Sequence, residues 1–350
     1  MFGKRKKQVV GCDVGSSAVK IVELKPLKGG EFQLVHAAMA ELSPEAIVDG
    51  AIMDSSLVVE ALSRLVADNG IKNPGFGGSL SGHSVIIKKI QLPAMTEVEL
   101  GESIQWEAEQ YIPFDINDVN LDYVVLDDGG GADNMDVLLV AVKKDRIADY
   151  TSVIVQAGKQ PVLVDVDVFA VQNAFEVNYG LDNDTVALVN VGASVMNINV
   201  LHLGASIFWR DVAFGGNQYT EAVQRELNLP REDAERLKLG ERVGEYSTQQ
   251  ISGVLDSVSE DLGTELQKTI DFFVATSSVD QLDRIVLSGG AALTTNLDQV
   301  LKERFGVPVE VLNPFRNIRY SESDFDPEWI NRNAPAMAVA VGLAVRTVGD

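Results

Sequence analysis

The sequence predicts an α/β protein of two related domains, with a separate α+β module inserted between its halves. Three observations predict it. A strand–turn–strand–turn–strand pattern over residues 8–37 returns over residues 185–212. Between them lies a self-contained alternation of strands and helices. The chain has 350 residues, more than one core ordinarily serves.

In the first copy, Gln8–Val14 and Ala18–Leu24 alternate apolar and polar residues around the turn Gly15-Ser16-Ser17. A second turn, Pro26–Gly30, leads to Glu31–Ala37, so three antiparallel strands are expected. The first turn carries phosphate chemistry. Glycine lets a backbone approach a phosphate closely, and the amides and hydroxyls of a tight turn donate to its oxygens. Lys20 supplies a point charge, and Asp13 can hold Mg²⁺ through water, because magnesium keeps several of its waters. Taken alone, a polar hairpin explains the segment equally well.

In the second copy, Thr185–Val191, Val195–Leu201 and Ala205–Val212 are the strands, and Gly192-Ala193-Ser194 is the turn. Setting Gly15 on Gly192 aligns Asp13 with Asn190, Ser17 with Ser194 and Lys20 with Asn197. Two related halves leave a cleft, a natural place for a ligand.

The module between the copies begins with the strand Ser84–Leu92. Thr96 starts a helix, with Glu99 at the capping-box position, that runs to about Tyr111. Val119–Leu126 and Met135–Val142 are strands joined by the glycine-rich loop Asp127–Asn134. A helix, Asp145–Ala157, ends at Gly158, and Pro161–Val168 resumes as strand. After the second copy, Pro230–Leu239 is a short helix stopped by Gly240. Glu235 and Lys238 share one of its faces, as an exposed ion pair or as ligand contacts. Ile251, Leu255, Val258, Leu262, Leu266, Ile270 and Phe273 then mark the buried stripe of a long helix.

These segments resemble a known superfamily. Asp13-x-Gly15-Ser16-x-x-x-Lys20 resembles the first phosphate motif of the actin, sugar kinase and DnaK-type chaperone superfamily, whose domains are ribonuclease H-like. Asn190–Ser194 resembles its second phosphate motif, which usually begins with Asp, and Gly215–Thr220 resembles the Gly-Gly segment after it. Arg284–Ala292 resembles the adenosine motif, and Asn333–Arg346 the closing helix. The resemblance implies a two-domain actin-like ATPase fold that binds ATP and Mg²⁺. It implies contacts from Asp13, Gly15, Ser16, Ser17 and Lys20, from Gly192, Ala193, Ser194 and Gly216, and from Gly289, Gly290 and Ala291. Asp13 would be the residue holding Mg²⁺ through water. Ala234-Glu235-x-x-Lys238 matches the segment that reaches adenine and ribose. Ala170-Val171-Gln172 is similar to the actin segment carrying a water-positioning glutamine, which makes Gln172 the catalytic candidate.

The module is similar to the 1C domain of FtsA-type actin homologues. Trp106–Phe114 resembles the Glu-x-x-x-Tyr-Ile-Pro-Phe signature of the PilM family, the FtsA-like proteins of type IV pilus machines, and Gln91-Leu92-Pro93 fits as well. The implied domains are 1–80, 161–183 and 334–350 (1A); 81–160 (1C); 184–215 and 281–333 (2A); and 216–280 (2B). The implied role is a cytoplasmic, ATP-binding part of the inner-membrane platform for pilus assembly and twitching motility. Its partner would be the cytoplasmic tail of a bitopic PilN-like protein, docked between 1A and 1C. Other platform proteins, the assembly ATPases and self-association are further implied contacts. Asn190 and Ala193 lack acids found in the superfamily, which favours a scaffold with little hydrolysis. An FtsA-like division protein, an active ATPase and a small-molecule kinase are the alternatives.

Composition sets the exclusions. A formal charge of −22 disfavours nucleic acid and flat adsorption to anionic lipid. Cys12 is the sole cysteine, so no intrachain disulfide forms, which fits a reducing cytoplasm. His36, His83 and His202 show no metal-ligand spacing. The basic start Lys4-Arg5-Lys6-Lys7 reads as a tail, and no apolar run is long enough for a signal peptide or a span. Membrane attachment is therefore expected only through partners.

Overall fold

Alternating, valine-rich segments on either side of a Gly-Ser turn make β1 (Val10–Val14) and β2 (Ala18–Pro26) an antiparallel pair, continued by β3 (Phe32–Glu41). The computed structural model describes residues 7–127 and 133–349. The basic residues 4–6 and the loop tip 128–132 lie outside the described residues. A small hairpin, β4 (Ile47–Val48) and β5 (Ala51–Ile52), leads into α1 (Ser55–Asp68). Asp54 caps that helix by accepting from the N–H groups of Ser56 and Leu57. Its stripe of Val58, Ala61, Leu62 and Leu65 is buried with Cys12, Ile21 and Phe76. β6 (Gly75–Leu80) then runs parallel to β1.

The inserted module comprises β7 (Val85–Pro93), α2 (Glu97–Glu109), β8 (Val119–Asp127) and β9 (Asn134–Lys143). Its sheet has the order β7-β9-β8, and α2 lays Leu100, Ile104 and Ala108 on Ile90, Leu92, Val137 and Leu139. The Thr96–Glu99 capping box forms: Glu99 accepts from the Thr96 N–H at 2.8 Å, and Thr96 Oγ1 accepts from the Glu99 N–H at 3.3 Å.

The next helix does not stay with that sheet, although a single unit over 81–160 was expected. The side chains of Val153 and Ile154 on α3 (Lys144–Gln156) join the first-domain core beside Phe76 and Leu62. β10 (Gln160–Val166) pairs parallel with β6. A parallel neighbour requires a crossover element over the sheet it joins, and α3 is that element. β10 stops at Val166, because Asp167 already begins α4 (Asp167–Tyr179).

The second domain carries β11 (Thr185–Val191), β12 (Met196–His202), β13 (Ala205–Val212), α5 (Gly216–Leu227), α6 (Arg231–Lys238) and α7 (Thr248–Thr276). β14 (Arg284–Ser288), α8 (Leu297–Phe305) and β15 (Val309–Val311) complete it. The seven apolar residues read as the stripe of the long helix are all buried on α7. The two sheets share one plan. β10-β6-β1-β2-β3 and β15-β14-β11-β12-β13 have the same order, with the same parallel and antiparallel senses.

After Leu312 the chain leaves the second core, earlier than the boundary expected at 333. β16 (Ile318–Arg319) extends the first sheet beside β3, and Ile330 of α9 (Pro327–Asn333) packs with Val22, Leu24 and Leu34. The closing helix begins as a 3₁₀ turn at 334–337 and becomes α10 (Ala338–Ala344). α4 and α10 lie together at the junction of the halves: Ala170, Val171 and Phe175 meet Val339 and Leu343 against Val186, Leu188 and Val286. Among the described residues, no helix is long and apolar enough to cross a membrane.

Candidate functional site: a cleft between two matched turns

The two glycine turns close in the same way. The Gly15 N–H donates to the Ala18 carbonyl at 3.0 Å, and the Gly192 N–H donates to the Val195 carbonyl at 2.9 Å. Behind each turn, one cross-strand pair occupies the same register. Asp13 stands opposite Lys20, and Asn190 opposite Asn197. Lys20 Nζ lies 2.8 Å from Asp13 Oδ2, with both side chains largely buried. Asn190 Nδ2 donates to Asn197 Oδ1 at 3.0 Å. The alignment read from sequence is thus also a spatial equivalence. Among the described residues, the N–H groups of Ser16, Ser17, Ala193 and Ser194 have no protein acceptor. Donors left over in this way in a tight turn suit phosphate oxygens.

Asp167 stands at the junction. Ser79 Oγ donates to its Oδ1 at 2.5 Å. Burial pushes its carboxyl up to about 6, with the Asp13 carboxylate adding to the rise and Asp211 contributing less. Both hairpin ends are therefore within electrostatic reach of α4. Sequence reading missed Asp167: an acid opening a helix reads first as a complement to the helix dipole, and its partner Ser79 is 88 residues away.

The second turn rests on Gly215 and Gly216. The Gly216 N–H donates to the Gly192 carbonyl at 2.9 Å and the Asn217 N–H to the Ala193 carbonyl at 2.8 Å. A Cβ at 215 would sit 2.5 Å from the Gly192 oxygen, so only glycine fits there. Asn217 Nδ2 donates to Ser194 Oγ at 3.1 Å, and Arg231 donates to Asn217 Oδ1 at 2.6 Å. Lys238 Nζ donates to Glu235 at 2.7 Å and to Thr220 Oγ1 at 3.2 Å, and Thr220 in turn bonds the Glu235 carboxylate. Burial pulls the Lys238 ammonium pKa down, with Glu235 opposing the shift. A Cβ at Gly216 would lie 3.3 Å from Lys238 Nζ and 3.4 Å from Ala291 Cβ, so Gly216, Lys238 and Ala291 gather at one place. Glu235 and Lys238 are an ion pair, but one sunk beside the turn, with Glu235 open at its rim. Gly289 takes φ +85° and donates its N–H to the Pro335 carbonyl at 2.8 Å, while the space beside Gly290 is open.

Gln172 is engaged elsewhere along α4. Its Oε1 accepts from Asn199 at 3.1 Å and its Nε2 donates to Glu176 at 2.9 Å. Asn199 lies two residues beyond Asn197 on β12, further from the turn. Among the described residues, no group of three or more His, Cys, Asp or Glu side chains is arranged to hold a metal ion. Asp13 is the carboxylate beside the first turn.

Fold and site together define a protein of the actin-like ATPase fold. The family model described as type IV pilus assembly protein PilM matches residues 11–348, and the chain belongs to that family. A chain of the PilM-PilN type IV pilus biogenesis complex superposes with a TM-score of 0.87 at 26% identity, covering 99% of this chain and 100% of that one. The ethanolamine utilization protein EutJ of Carboxydothermus hydrogenoformans matches at TM-score 0.61 and 15% identity, over 98% of this chain and 90% of its own. MreB5 of Spiroplasma citri bound to ADP matches at 0.52 and 12%, over 96% and 94%. These last two likenesses are of fold. A role in type IV pilus assembly follows from the family.

Proposed function

We propose that the chain is a cytoplasmic ATP-binding component of the pilus inner-membrane platform, held at the membrane by the cytoplasmic tail of a PilN-like protein. One observation carries the ATP reading: two equivalent turns, one in each half, both present unengaged amide donors. On this reading the turns at 15–17 and 192–194 hold phosphates, Lys20 shifts from Asp13 to a phosphate, and the nucleoside lies over Gly289–Ala291 near Glu235 and Lys238. Asp13 would hold Mg²⁺ through water, and the ion would neutralise phosphate charge. Lys20→Ala should weaken ATP–Mg²⁺ binding about ten-fold or more, the scale of a lost charge-assisted hydrogen bond. Calorimetry on a folded variant checks this, and unchanged affinity would remove Lys20 from the site. Asn190 cannot organise a metal as an acid would, so phosphate release by the wild-type protein should stay below about 1 per second, the low end of ordinary enzymes. Faster turnover by a pure sample would make the protein an active ATPase.

On this reading the tail docks between the inserted module and the first domain. Val124 on β8 and Leu138 and Val140 on β9 lie on the module face away from α2. Val124 and Val164 are exposed, the latter on the edge strand β10. Exposed Val124 with the exposed acid Asp122 on the same face suits a peptide with apolar anchors and a flanking Lys or Arg. The likeness to a chain of the PilM-PilN complex supports the same partner here. Val124→Glu should lower the affinity for a PilN-like tail peptide more than ten-fold by fluorescence anisotropy. Full binding by that variant would place the tail elsewhere.

A further inference from the structure

A polar ladder crosses the second sheet from the cleft to the base of the inserted module. Ser288, Asn190, Asn197 and Asp211 are direct cross-strand neighbours on β14, β11, β12 and β13. Ser288 Oγ donates to Asn190 Oδ1 at 3.2 Å, Asn190 Nδ2 to Asn197 Oδ1 at 3.0 Å, and Asn197 Nδ2 to Asp211 Oδ1 at 2.8 Å. Asp211 Oδ2 then accepts the N–H of Gly82 at 2.5 Å, in the stem joining β6 to β7. Two residues along β13, Trp209 Nε1 donates to the Ile87 carbonyl of β7 at 2.8 Å. Ser288, Asn190 and Asn197 are buried. A buried run of this kind is stable only when every member is satisfied, and its bonds polarise one another along the run.

The ladder accounts for the asparagine at 190. An amide can accept from Ser288 and donate to Asn197 at the same time. A carboxylate only accepts. With Asp at 190, the Asn197 amide would have to turn over to donate to it, and its oxygen would then face Asp211. Asn197 would be flanked by two carboxylates, and Asp211, which accepts from Gly82, would lose the Asn197 donor that holds it in the ladder. The cleft end of the ladder is placed to sense a ligand. Gly289 packs so closely on Asn190 that a Cβ there would lie 2.9 Å from its Oδ1, and Asn190 is two residues before the turn at Gly192.

We propose that this ladder couples the nucleotide cleft to the seating of the inserted module on the second domain, with Asn190 as its positioning residue. The inference rests on the ATP reading above. It gives ATP a means of altering the tail site proposed above, because the module carries Val124 of that site.

The test is hydrogen exchange of the segment 81–87 in the full chain, with and without ATP–Mg²⁺. In the wild type, ATP–Mg²⁺ should slow exchange there about five-fold or more, within ordinary allosteric coupling. Asn197→Leu, which is close in volume and cannot relay, should bind ATP–Mg²⁺ as the wild type does by calorimetry and show no such slowing. Asn190→Asp should speed exchange of 81–87 even without nucleotide, and it gives a second reading if Asn197→Leu fails to fold. The inference is overturned if Asn197→Leu retains the full slowing, if Asn190→Asp leaves the nucleotide-free exchange unchanged, or if the wild type binds ATP with no change at 81–87. A wild type that binds no ATP by calorimetry overturns the ATP reading itself, and the coupling with it.

Discussion

Gly342→Ala is expected to destabilise the protein by about 3 kcal/mol or more, at or beyond the upper end for overpacked cores. A methyl group at 342 would run into the carbonyl of Ala170 on α4. The obstacle is backbone, so no side chain can swing away to relieve it. α10 cannot retreat either, because on another side Gly11 of β1 admits the Ala340 carbonyl only for lack of a Cβ, which would also lie 2.9 Å from the Ala344 nitrogen. Interiors packed to crystal density transmit such strain, so α4 and α10 would have to part where the halves meet. Gly253 is the control. It is exposed in the second turn of α7 with open space beside it, and its replacement by alanine should stabilise by about 1 kcal/mol through helix propensity. Thermal denaturation of the two variants should therefore move in opposite directions. An unchanged midpoint for Gly342→Ala would mean that the helix contact is looser than described.

Asp167→Asn is expected to raise stability at neutral pH and to leave it nearly unaltered at pH 3. Burial, then Asp13, lift the Asp167 carboxyl to about 6 from its ordinary value of 3.8. The folded state therefore binds more proton than the unfolded state between these values. Stability from this group is fully present below the unfolded pKa and is lost as pH rises through the folded one. By pH 7 the difference is on the order of 3 kcal/mol, at 1.36 kcal/mol per unit. Asparagine keeps an oxygen for Ser79 and carries no charge, so much of that cost should vanish. Urea titrations of both proteins at pH 3 and 7.5 check this: the two curves should nearly coincide at the lower pH and separate at the higher. A gain of equal size at both pH values would assign the effect to packing.

What was legible in sequence was whatever depended on neighbours along the chain. The hairpins read over residues 8–37 and 185–212 announced themselves by alternation, though β3 runs on to Glu41, and the α7 stripe by its threes and fours. The Thr96 cap needed only Glu99. What was not legible depended on which surface an element meets. The apolar face of α3 says that it packs, not that it packs on the first sheet. Residues 315–333 read as continuing the second domain, because nothing local marks a chain passing from one core to another. The roles of Asp167, with Ser79, and of Asn190, between Ser288 and Asn197, arise from strand register and tertiary contact. In sequence Asn190 was only a missing acid. In the sheet it is a donor and an acceptor at once.

A single nucleotide facing the turns of both halves is the proposal on which the ATP reading stands. It is tested most directly by titrating ATP–Mg²⁺ into ¹⁵N-labelled protein and following the amide resonances of Ser16, Ser17, Ala193, Ser194 and Gly290. All five should shift together with one saturation curve, because one ligand would bind both turns and lie over the glycine pair. Shifts confined to one turn, or two curves with different midpoints, would contradict a shared site.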